Sequence, residues 1–381
     1  MLEYAGETAA GIAPGTAAKI EGRISEWISS AYTPMAQYMA MRNGKVFLSG
    51  AQGAVDPDEQ GRALDESSIF PVSSITKTFT GAVIMMLTDD GILSPTDFVY
   101  RHIPEFDGEG KNRVTIGHLL THTSGIDDNL RRFTDEELKE IAYPKGEPES
   151  AGKFDKYMYA ACHLPNKCDP GVSMSYSSTG INIVGEIISR ATGMPYREVV
   201  KTRLFEPLGM VNTFMGVPKS ELHRVVSFPE NAYFGGGVWD TDRVSASGGA
   251  FSNAHDLCIF AQMLLNKGEF GGRRILSRLA VEAMTKNQIP GISAVHDGVR
   301  FREAGWGFSL MLSLDKFDET GTLRSPESYG HSGAGCSMFL VDPVNEVVAA
   351  LLYCTMKKDG DDHFERRFDR FFNMVLSGVS A

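Results

Sequence analysis

Phe70-Pro71-Val72-Ser73-Ser74-Ile75-Thr76-Lys77 runs straight into an apolar stretch ending Ala82-Val83-Ile84-Met85-Met86-Leu87. How this junction is read decides the rest of the chain. Ser74 and Lys77 stand three residues apart, and positions i and i+3 share one face of a helix, so the Lys77 amine reaches the Ser74 hydroxyl. A serine hydroxyl is a weak nucleophile until a base takes its proton. A lysine serves as that base when desolvation or a neighbouring cation lowers its pKa towards neutrality. Ser74 also lies at the helix start, where free N–H groups and the helix dipole favour developing negative charge. The spacing alone is weak: Ser150-Ala151-Gly152-Lys153 repeats it. That copy follows Pro144 and Pro148 in a polar stretch and reads as a solvated loop.

Two further segments give the first copy companions. Asp169-Pro170-Gly171 precedes Ser173-Met174-Ser175-Tyr176-Ser177-Ser178-Thr179-Gly180, which opens an apolar helix. Tyr176 therefore falls in a loop at a helix start, where a phenol faces a cleft. Tyr329-Gly330-His331-Ser332-Gly333-Ala334-Gly335 leads directly into a strand. Its small residues let a substrate approach the strand backbone, whose N–H groups suit an oxyanion.

With these residues in order, the chain resembles the serine β-lactamase/penicillin-binding-protein superfamily. The likeness is to class C β-lactamases, D-Ala-D-Ala carboxypeptidases, D-aminopeptidases and related esterases. Ser74-Ile75-Thr76-Lys77 matches the family's Ser-x-x-Lys. Tyr176-Ser177-Ser178 stands where the family has Tyr-x-Asn, and His331-Ser332-Gly333 where it has Lys/His-Thr/Ser-Gly. Leu119-Leu120-Thr121-His122-Thr123-Ser124-Gly125-Ile126, Glu206-Pro207-Leu208-Gly209-Met210 and Gly248-Gly249-Ala250-Phe251-Ser252 also look like family text. The resemblance spans about residues 20–375.

It implies an acyl-enzyme mechanism. Ser74 attacks a carbonyl, Lys77 and Tyr176 share the proton transfers, and the backbone N–H groups of Ser74 and Ala334 form the oxyanion hole. Ser178, His331, Ser332 and Gly333 would contact the substrate. Which of Lys77 and Tyr176 is the base stays open, because a tightly coupled pair need not have separable pKa values. Two positions depart from the pattern. Ser178 replaces the asparagine and is shorter, which weakens the case for β-lactam turnover and favours esterase-like recognition. His331 replaces the lysine of β-lactamases and looks like the carboxypeptidase and D-aminopeptidase members. The implied function is a serine hydrolase of a small carboxylic ester, amide or peptide. The alternative is an acyltransferase that hands the acyl group to an alcohol or amine. A non-catalytic penicillin-recognising protein is a third reading, opposed by the intact Ser74, Lys77 and Tyr176.

Other features are given plainer readings. His118 and His122 have the i, i+4 spacing of a zinc pair, but no Glu follows His118, so no metal is expected. Gly235-Gly236-Gly237 lacks the strand-then-helix context of a nucleotide site and reads as a loop, with Tyr233, Phe234 and Trp239 either at the cleft or in the core. Trp306 is left between the same two readings. No Gly-x-Ser-x-Gly occurs, which opposes an α/β-hydrolase. The five cysteines form no C-x-x-C pair and are expected to be reduced, with no support for a Cys162–Cys168 disulfide.

With 381 residues, 42% hydrophobic and 22% charged, the composition is that of a globular protein. A formal net charge of −11 repels phosphate backbones, so no nucleic-acid partner is expected. No secretory signal or membrane span is read, which gives a cytoplasmic expectation with no membrane partner, and no cofactor is called for. Oligomeric state is not legible.

The outer parts of the chain supply strands. Met35–Arg42 and Lys45–Gly50 flank Asn43-Gly44, a strong hairpin signal, and Ser337–Val341 pairs with Val347–Thr355 around Asp342-Pro343. Ile20, Ile24, Trp27 and Ile28 mark a helix near the start. A second, roughly Asp362–Leu376, carries Phe364, Phe368, Phe371 and Phe372. The middle reads as helices, among them Thr76–Thr88, Thr115–Thr121, Thr179–Ala191, Arg197–Leu204 and Ala254–Leu265. The expected fold is α+β: an antiparallel sheet flanked by the terminal helices, with a mostly helical domain inserted. Residues 1–68 and 291–381 would form the sheet domain and 69–290 the helical one, with the active site in the cleft between them. Tyr143–Gly152, Ala232–Trp239 and Pro290–Gly298 are candidate cleft loops.

Overall fold

The computed structural model describes residues 2–58, 62–126, 158, 161–162, 166–296, 299–315, 318–356 and 368–380. In chain order the strands are β1 (Glu3–Tyr4), β2 (Met35–Arg42), β3 (Lys45–Gly53), β4 (Phe70–Pro71), β5 (Phe214–Met215), β6 (Ala250–Ser252), β7 (Glu269–Phe270), β8 (Arg273–Arg274), β9 (Ala294–His296), β10 (Val299–Phe301), β11 (Met311–Leu312), β12 (Tyr329–Gly333), β13 (Ser337–Asp342) and β14 (Val347–Tyr353). The helices used below are α1 (Thr16–Ser29), α2 (Thr76–Asp89), α3 (Ile116–Leu120), α4 (Ser178–Thr192), α5 (Tyr196–Val200), α6 (Ala254–Leu265), α7 (Arg278–Thr285) and α8 (Phe368–Ser377).

One seven-stranded sheet, in the order β1-β3-β2-β14-β13-β12-β11, organises the molecule. The hairpin signal at Asn43-Gly44 is realised: both residues have positive φ, 52° and 73°, as a two-residue turn between twisted strands requires. The sheet departs from a purely antiparallel one at its edge, where β1 pairs with β3 in parallel. Two residues are too few to show a period of two, so the sequence carries no sign of this strand.

The central strands are covered on both faces, and so they read as near-continuous apolar runs. Their side chains still alternate. Met338 and Leu340 of β13, with Ala349 and Leu351 of β14, meet Ile20, Ile24 and Trp27 of α1 and Phe368, Phe371 and Phe372 of α8. Phe339, Val341, Val348 and Ala350 face the other way, into a larger core with α2 and α6. Every residue of α2 from Thr76 to Leu87 is buried. A helix apolar on all sides belongs in a core, and this one holds the Lys77 end rigidly.

Helix bounds shift by a residue or two from expectation. Ser177 caps α4 by accepting from the Gly180 N–H at 3.0 Å, so the helix begins at Ser178. The helix expected over Arg197–Leu204 continues as a π turn over Lys201–Phe205. Phe364, the Ser150–Lys153 stretch and the Tyr143–Gly152 loop lie outside the described residues. No described helix is long and apolar enough to cross a membrane.

Candidate active site

Ser74 is presented by a tight turn between β4 and α2. Val72 closes a 3-10 turn by accepting from the Ile75 N–H at 3.1 Å, and Ser73 has a φ of 46°. That conformation is costly for a residue with a side chain, and it holds the turn sharp just before Ser74. The Thr76 hydroxyl locks it from the helix side, donating to the Ser73 carbonyl at 2.6 Å and accepting from the Ala250 N–H at 3.0 Å.

Lys77 follows on the first turn of α2 and is fully buried. Its Nζ lies 3.0 Å from Ser74 Oγ, 3.3 Å from Ser178 Oγ and 2.7 Å from the Ser247 carbonyl oxygen. An ammonium has three N–H bonds to give, so these three acceptors match it. The same Nζ stands 4.9 Å from the centre of the Tyr176 ring, within cation–π range. Tyr176 is 40% exposed, so the phenol joins the buried lysine to open solvent.

The Ser247 carbonyl is held in turn. Asn182 Oδ1 on α4 accepts from the Ser247 N–H at 3.1 Å and from the Ser245 hydroxyl at 3.0 Å. Thr80 on α2 donates to the Ala246 carbonyl at 2.7 Å while Tyr196 OH lies 2.7 Å from the Thr80 hydroxyl. Residues 245–249 are thus stapled between two helices.

The strand β12 closes the site opposite α4. A side chain at Gly333 would run into the Val72 carbonyl, so only glycine lets the strand lie against the Ser74 turn. Ser337 reinforces the contact, its hydroxyl donating to the same carbonyl at 3.2 Å. Ala334 and Gly335 form the turn just beyond, where Gly335 abuts the rings of Phe228 and Trp239. Ser332 is half-buried within β12.

His331 is buried, and its Nδ1 donates to the Ser332 carbonyl at 2.6 Å, which leaves Nε2 without a proton. Burial, and then the positive charge of Lys77, push its pKa down to about 3. His331 is therefore neutral, unlike a lysine at this place. Trp306 lies between His331 (5.6 Å between ring centres) and His122 (4.6 Å), on the inner side of Tyr176. His122 is also buried, and burial, then the positive charge of Lys77, hold it well below the ordinary histidine range. His118 instead caps α3, its Nδ1 accepting from the Thr115 N–H at 3.1 Å, so the two histidines of the i, i+4 pair face different surroundings. Among the described residues no group of three His, Cys, Asp or Glu is arranged to hold a metal.

The structure thus gathers Ser74, Lys77, Tyr176, Ser178 and His331 in one place, with Gly333 against the turn that carries Ser74. Sequence reasoning did not find Asn182 or the Ser247 carbonyl, and it left Trp306 unassigned. A backbone acceptor has no residue-type signature. Asn182 shows only as a polar residue one turn into an apolar helix.

The α+β fold and the buried lysine on a serine hydroxyl accord with the Beta-lactamase family, whose model matches residues 24–373. The chain belongs to this family, which includes serine hydrolases. Penicillin-binding protein 4 of Amycolatopsis lactamdurans is 32% identical over 317 residues, covering 77% of this chain and 74% of the relative. Among solved structures, a family VIII carboxylesterase superposes with a TM-score of 0.75 at 21% identity, covering 96% of this chain and 98% of the other. A penicillin-binding protein homologue from Caulobacter crescentus superposes with a TM-score of 0.74 at 20% identity, covering 97% of each chain. At such identities the two structures show a shared fold.

Proposed function

We propose that the protein hydrolyses small carboxylic esters or amides, peptides included, through an acyl-enzyme on Ser74. The observation that carries this reading is the buried Lys77 Nζ, 3.0 Å from Ser74 Oγ and 4.9 Å from the Tyr176 ring centre. Ser74 Oγ bonds to the substrate carbonyl carbon while its proton passes to the Lys77–Tyr176 pair. The pair returns that proton to the leaving alcohol or amine, and a water then releases the acid. The Ser74 and Ala334 N–H groups take the oxyanion. Substrate enters between the sheet-bearing unit (1–68 and 291–381) and residues 69–290, past Ser178, His331, Ser332 and Gly333. The carboxylesterase likeness and the short Ser178 side chain favour esters over β-lactams.

Ser74→Ala is expected to abolish turnover of p-nitrophenyl esters and the mass increment of the acylated protein. Ser150→Ala should leave both unchanged. Full turnover by Ser74→Ala would sink the reading. Adding a primary alcohol and measuring ester formed against acid released tests acyl transfer with the same protein.

A further inference from the structure

The loop carrying Tyr176 rests on one residue that the mechanism above does not use. His122 sits in the turn after α3 with a φ of 59°, a conformation seldom adopted by a residue with a side chain. In that conformation a single residue meets the backbone on both sides of Tyr176. Its carbonyl accepts from the Ser175 N–H at 2.8 Å, and its ring Nδ1 accepts from the Ser177 N–H at 3.1 Å. The same ring packs on the Tyr176 ring with centres 4.5 Å apart, and Trp306 meets it edge-on. We propose that His122 is the positioning residue for Tyr176, a clamp that fixes the phenol against Lys77.

This inference rests on Tyr176 taking part in proton transfer. It gives His122 no catalytic step. Nδ1 is an acceptor, so the neutral ring carries its proton on Nε2, and Nε2 is buried with no partner among the described residues. Relaying a proton through Nδ1 would break the Ser177 contact and place a second cation beside Lys77. The neighbouring turn supports the same loop less directly: the Thr123 carbonyl accepts from the Gly171 N–H at 2.8 Å, five residues before Tyr176. His122 touches both flanking amides and the ring itself.

The test is steady-state hydrolysis of p-nitrophenyl butyrate by variants whose melting temperatures show them folded. His122→Ala should lower kcat by about 30-fold or more with KM within about threefold, a loss in the range of a misplaced acid–base group. His122→Asn puts an amide oxygen where Nδ1 was and should recover at least about tenfold of that loss. His122→Gln, whose oxygen reaches the Nε2 position, should not. On a Tyr176→Phe background, His122→Ala should cost less than about twofold, because the clamp then holds nothing that reacts. A wild-type kcat in His122→Ala, equal rates for the Asn and Gln variants, or an undiminished loss on the Tyr176→Phe background would each overturn the proposal. If His122→Ala does not fold, the Asn–Gln comparison decides alone. Wild-type turnover in Tyr176→Phe would instead remove the role given to Tyr176, and the clamp with it.

Discussion

Lys77 is bonded in a way that serves both of its protonation states. As an ammonium it donates to Ser74, Ser178 and Ser247; as an amine it keeps two donors for Ser178 and Ser247 and turns a lone pair towards the Ser74 hydroxyl. In both states Lys77 Nζ keeps a hydrogen bond with each of these three partners, so the exchange of a proton needs little rearrangement. Ser178 reaches Lys77 at 3.3 Å through a hydroxyl and lacks the side-chain amide that an asparagine would bring to the same place. Ser178→Asn is therefore expected to raise activity on p-nitroanilides relative to p-nitrophenyl esters of the same acid. An unchanged ratio would strike Ser178 from the substrate contacts.

Among the elements, the fit of α4 against the 245–249 loop controls the third partner of Lys77. A Cβ on Gly185 would stand 2.5 Å from the Ala246 Cβ, so Gly185→Val must push the loop and the Ser247 carbonyl away. Overpacking of this kind costs about 1–3 kcal/mol. A lower melting temperature is expected together with a fall in kcat that exceeds any change in KM; loss of stability with kcat intact would show that the loop can shift without disturbing Lys77. This scale also shows what a sequence can carry. The Ser74–Lys77 spacing is legible because helical periodicity alone brings i and i+3 together, and the strands around Asn43-Gly44 are legible because the turn residues fit only that turn. The nearness of Tyr176 and His331 to Ser74 came through resemblance. The Asn182–Ser247 contact and the two hydrogen bonds of His122 to the Tyr176 loop depend on tertiary approach between residues more than 50 positions apart, and no local pattern encodes them.

For the molecule as a whole, the two buried neutral imidazoles link folding to acidity. A histidine whose pKa falls from about 6.5 to about 3 on folding takes up its proton only in the unfolded chain between those values, so stability is retained above about 6.5 and drains away as the pH falls towards 3. From pH 7 to pH 5 His331 alone accounts for about 2 kcal/mol, at about 1.4 kcal/mol per pH unit once the unfolded imidazole titrates. His122 acts in the same direction. Urea unfolding at the two pH values should show the loss in the wild type and a clearly smaller one in His331→Gln. An identical pH dependence in both proteins would mean that His331 is not held neutral by the fold.

The two outer segments of the described chain also meet. Ile12 bridges Val379, the Ala13 N–H donates to the Gly378 carbonyl at 2.7 Å, and the Ser380 N–H donates to the Gly11 carbonyl at 3.0 Å. Each segment thus supplies backbone partners to the other, and removing residues 378–380 would strip the Ala13 N–H of its acceptor. These contacts lie apart from Ser74 and Lys77, so the shortened protein should melt at a lower temperature with its catalytic rate unchanged.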